Sequence, residues 1–93
     1  MLSAQITSQQ ERILEGIAQW IADRSWYIEK YGCNTQDFEK YHDTIISLFE
    51  EADRAGIPYW VQNSVIVWAE DLRQRGREYI YQLFDRKNII VID

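Results

Sequence analysis

The stretch Ile57–Lys87, IPYWVQNSVIVWAEDLRQRGREYIYQLFDRK, constrains this chain more than any other. It opens on the only proline and runs thirty-one residues without a second strong breaker, with Gly76 as its one weak point. At about 100° per residue, Val61, Val65, Trp68, Leu72, Tyr79 and Leu83 fall on one side, as the buried face of a helix requires. A second apolar line, Tyr59, Ile66 and Phe84, runs up the flank with Arg73 and Arg77 between its members. Trp60 and Val67 take the other flank. A helix that is apolar on more than one side is normally surrounded by partners.

Two further helices follow from the remaining pattern. Ser8-Gln9-Gln10-Glu11 has the form of a capping box, and a first helix is expected over about 8–31. Its inward face reads Ile13, Leu14, Ile17, Trp20, Ile21, Ile28 and Tyr31. Residues 1–7 read as a short flexible lead. Gly32 suits a left-handed helix stop and Asn34 the next cap. A second helix is expected over about 35–55, with Phe38, Tyr41, Ile45, Leu48 and Ala52 in a 3-4-3-4 line broadened by Phe49. Its far side carries Glu39, Asp43 and Glu50. Gly56 then ends that helix, Ile57 folds back on it, and Pro58 opens a third helix over about 58–87. Ile89–Ile92 is β-branched and reads as a short strand or as an extended tail pressed on a neighbour.

The expected fold class is therefore all-α: a single domain, 1–93, forming an antiparallel three-helix bundle with a long third helix and a short extended C-terminal tail. A third helix of about 30 residues would be about 45 Å long and would outrun the other two. Its overhang, with Tyr81 and Phe84, is expected to be covered by a second chain.

Composition narrows the function classes. With 27% charged and 14% aromatic residues, disorder is excluded as the main state. The net charge of −5 is concentrated in the first half: residues 1–56 hold ten acids and five bases, and residues 57–93 five of each. That balance argues against non-specific nucleic-acid binding. One cysteine, Cys33, allows no intramolecular disulfide, and one histidine, His42, offers no metal-ligand pair. The start, MLSAQITSQQE, has neither the basic nor the apolar region of a signal peptide, and no stretch reaches the length of a membrane span. A cytoplasmic protein without cofactors is the expectation.

Each residue with chemical potential also has a plain structural explanation. His42 lacks a recognisable nucleophile or acid at catalytic spacing and reads as a border histidine. Glu39-Lys40-Tyr41-His42 is a single copy of a motif that di-iron bundles use in pairs, and Glu39 points to the polar side. Arg24 interrupts the apolar face of the first helix. Either its guanidinium escapes to solvent or it pairs with a carboxylate of another helix. Trp26 sits on the polar side of the same helix and is a candidate binding anchor. The expected function is a non-enzymatic adaptor or regulator that binds another protein and forms a homodimer. The candidate contact residues are Trp26, Tyr59, Ile66, Arg73, Arg77, Tyr81 and Phe84. The alternative is a nucleic-acid accessory protein using Arg73, Arg75 and Arg77.

Overall fold

The structure, a computed structural model, describes residues 3–75 and 89–92. Five elements follow in order: β1 (Ala4–Ile6), α1 (Ser8–Tyr31), α2 (Gln36–Arg54), α3 (Tyr59–Arg75) and β2 (Ile89–Val91). The protein is mostly helical, with three helices, and none of them is long and apolar enough to cross a membrane among the described residues.

Among the described residues, the helix around which the others gather is α1 rather than α3. It packs along both α2 and α3, whereas α2 and α3 touch only sparsely. Small side chains are part of the reason. Ala18 and Ala22 are buried together with Leu14, and short side chains four residues apart let a neighbouring backbone approach closely. The inward face of α1 is accordingly shifted. Trp20 and Tyr31, expected inside, are exposed, while Tyr27 is buried and bonds through its hydroxyl to Thr35 Oγ1 at 2.6 Å. The core is completed by Val61, Val65, Trp68 and Ala69 of α3, with Ile45 and Ala52 from α2. The third helix is described to Arg75, so its expected continuation to Lys87, the weak point at Gly76 and the overhang of Tyr81 and Phe84 lie outside the described residues.

Residues 4–6 are not a flexible lead. Ala4, Gln5 and Ile6 pair in parallel with Ile89, Ile90 and Val91, and Ile92 donates its N–H to the Ile6 carbonyl at 2.9 Å. Parallel strands need a long crossover, and the helical body lies within that connection. Alternation turns Ile6 and Ile89 into the core and leaves Gln5, Ile90 and Ile92 exposed. Three residues are too few for periodicity to register, so the burial of Ile6 was not visible as a pattern.

The extended end of β1 also moves the cap by one residue. Thr7, at φ −86° and ψ 164°, caps α1: its hydroxyl accepts from the Gln10 N–H, and the Gln10 side chain accepts from the Thr7 N–H. The Ser8–Glu11 box of the sequence gives way to this Thr7–Gln10 box. Thr35 rather than Asn34 caps α2, accepting from the Phe38 N–H at 3.2 Å. At the second turn Gly56 takes φ 77°, and the Ile57 N–H reaches back to the Ala52 carbonyl, burying Ile57. Pro58 stands just before α3 and offers its carbonyl to Val61 and Gln62.

Candidate functional site

Two polar anchors tie helix ends together. Gln10 donates from its side chain to the Ala55 carbonyl at 2.8 Å, tying the start of α1 to the end of α2. Gln62, buried in α3, donates to Asp53 Oδ1 at 2.7 Å and to the Ile57 carbonyl at 2.9 Å. A buried amide without such partners would cost about 1–3 kcal/mol, so these bonds fix where α3 starts.

Away from those anchors, α1, α2 and α3 leave a groove of about 320 Å³. Its walls are apolar: Ile21 from α1, Ile45, Ile46 and Phe49 from α2, and Ile66 from α3. Ile46 is 44% exposed and Ile66 58%, so the groove is open rather than enclosed. Arg24 and His42 complete the lining. Arg24 Nη1 lies 3.5 Å from His42 Nδ1, and His42 in turn stacks on Phe38 with ring centroids 6.2 Å apart. Of the two expectations for Arg24, the solvent-facing one fits: the guanidinium meets the imidazole at an exposed position. Among the described residues no ion pair to a carboxylate is formed by Arg24.

Of the candidate contact residues named from sequence, the four described ones fall in more than one place. Ile66 borders the groove, and Tyr59 is exposed at the start of α3. Trp26 lies elsewhere on α1, 48% exposed, with Lys30 Nζ 4.5 Å from its ring centroid, and it lines a separate cleft with Leu72 and Arg73. Arg73 is engaged inside the molecule. It pairs with Glu29 of α1 and, at 3.8 Å, with Glu70 one turn earlier. The hydrogen bond to Glu29, then the Glu29 and Glu70 charges, holds the guanidinium above its ordinary pKa. A role for Arg73 as a free phosphate contact therefore competes with two carboxylates. Arg77, Tyr81 and Phe84 lie outside the described residues, as does the Arg75 side chain.

Sequence reasoning missed the groove itself. Ile45 is buried and Ile21 and Phe49 pack against the core, as their spacing predicts, and the same three side chains also form the floor of an open channel where α2 and α3 touch only sparsely. A second cleft, of about 240 Å³, lies against Trp20, Tyr27 and Tyr41, with Asp37 and Lys40 at its edge. Its rings pack on one another, Trp20 to Tyr41 at 5.6 Å and Tyr27 to Tyr41 at 5.4 Å, which serves to join α1 to α2. No group of three or more metal-ligating side chains occurs among the described residues. Comparisons with protein-family models, with characterised proteins and with solved structures find no match to this chain.

Proposed function

We propose that this chain is a small non-enzymatic adaptor or regulatory module that acts by binding protein and works as a homodimer. The observation that supports the reading is the groove, where Ile46 and Ile66 stay open to water beside Ile21, Ile45 and Phe49. A connected apolar channel of this kind is typical of a contact surface and atypical of a monomer's exterior. The frame we infer beneath it is an up-down-up arrangement, with α2 antiparallel to α1 and α3. In its favour, Gln10 early in α1 meets Ala55 just past α2, and Arg73 late in α3 meets Glu29 late in α1.

Light scattering on the purified chain tests the reading. The expected mass is twice the 11.2 kDa of one chain. Ile66→Asp places a charge on the groove wall without entering the core, so it should yield a folded monomer by circular dichroism. A wild type that stays monomeric at high micromolar concentration defeats the homodimer.

A further inference from the structure

We propose that the groove's occupant is helix α2 of a second copy of this chain, seated by a two-fold contact that brings Asp43 of each copy to Arg24 of the other. The inference rests on the homodimer reading and assigns its contact surface.

The groove states what it needs. Its walls are apolar, and its one certain charge, Arg24, is half-buried, faces an imidazole and has no carboxylate ion pair among the described residues. Covering the groove with an apolar surface alone would desolvate that guanidinium without compensation. A carboxylate arriving with the apolar group supplies a charge-assisted hydrogen bond instead. The matching occupant is a helix with one exposed apolar side chain flanked by acids.

The outer face of α2 has this composition. Glu39, Asp43, Ile46 and Glu50 follow at spacings of four, three and four, which sets them in one stripe. All four are exposed, and none of the three acids forms an ion pair among the described residues. Ile46 belongs to both halves. It borders the groove and also lies in the acidic stripe, so the two complementary surfaces are adjacent on one molecule. A two-fold contact requires this: if residue i of one copy touches residue j of the other, j also touches i. The partner's Ile46 then packs against Ile66 and Phe49, and the partner's Asp43, one turn earlier, reaches Arg24.

Sedimentation equilibrium of the full chain, with circular dichroism on every variant, tests the assignment by charge exchange. Asp43→Arg and Arg24→Glu should each weaken the dimer about ten-fold or more, because the two-fold repeats every loss. The double variant Arg24→Glu/Asp43→Arg should return to within about three-fold of wild type, since the pair is restored with its signs exchanged. Asp43 is exposed, so its reversal leaves the fold intact; Arg24→Gln stands in for Arg24→Glu should the latter fail to fold, and should also weaken the dimer. A dimeric wild type indifferent to Asp43→Arg overturns this surface and leaves the homodimer standing. So do single variants that weaken a dimer which the double variant fails to rescue. A wild type that is monomeric throughout overturns both readings.

Discussion

Ile6→Ala is the most discriminating change to the fold, because two views of residues 1–7 give opposite results. A flexible lead would tolerate it without effect. In the structure Ile6 is 1% exposed, sits in the same apolar cluster as Leu14, Val61 and Ile89, and lies on a strand paired to Ile89–Val91. Truncating a fully buried isoleucine to alanine costs about 2–4 kcal/mol in transfer and cavity terms together. A chain of this size has a total stability of about 5–14 kcal/mol, so the loss is a large share of it. At about 4–8 °C per kcal/mol, the melting temperature should fall by roughly 8–32 °C. Urea unfolding followed by tryptophan fluorescence and by circular dichroism gives the free energy directly. Gln5→Ala, next door and exposed, is the control and should stay within about 0.5 kcal/mol. An Ile6→Ala variant as stable as the Gln5→Ala control would refute the reasoning and return β1 to an unstructured lead.

The glycines divide in the same assay. A methyl at Gly16, mid-helix in α1, meets nothing within 4 Å, so Gly16→Ala should stabilise by about 0.5–1 kcal/mol. Gly56 stands at φ 77°, so Gly56→Ala should destabilise by about 1 kcal/mol despite equally open surroundings. Gln62→Leu keeps the volume but deprives the Ile57 carbonyl and Asp53 of their donor, and should lose about 1–3 kcal/mol in urea unfolding. Thr35→Ala removes both the α2 cap and the partner of the Tyr27 hydroxyl; a loss of about 1–2 kcal/mol is expected, and Tyr27→Phe in the Thr35→Ala background should add little.

What the sequence made legible was the helical content and its punctuation. Most of the α1 line, Ile45 and Ala52 of α2, Val61, Val65 and Trp68 of α3, the Gly32 stop and the Gly56–Ile57 reversal all rest on local rules: a 3.6-residue period and the freedom of glycine at positive φ. Cap positions were near but ambiguous. Thr7-x-x-Gln10 and Ser8-x-x-Glu11 are overlapping boxes one residue apart, and only the strand before them decides between the two. Two features were out of reach because they depend on residues far apart in the chain. Ala4–Ile6 carries no pattern of its own until Ile89–Val91 is beside it. The groove arises from a weak contact between α2 and α3, a property of helix packing that the periodicity of either helix does not contain. The arginines show the same limit. Arg24 and Arg73 are equally conspicuous in the sequence, but Arg73 meets Glu29 forty-four residues away, whereas Arg24, among the described residues, meets an imidazole and no carboxylate.

The pairing of Ile6 with Val91 has a consequence for how the protein is made. A ribosome adding about 5–20 residues per second delivers β2 some 4–17 s after β1. Helices form in about a microsecond and can dock on one another throughout that interval. The seat for Ile6 is complete only when Ile89 arrives, so the nascent chain carries an unpaired strand and a bare apolar patch for seconds. That window, rather than the finished molecule, is when β1 is most open to capture by a chaperone or by the same strand of a neighbouring nascent chain.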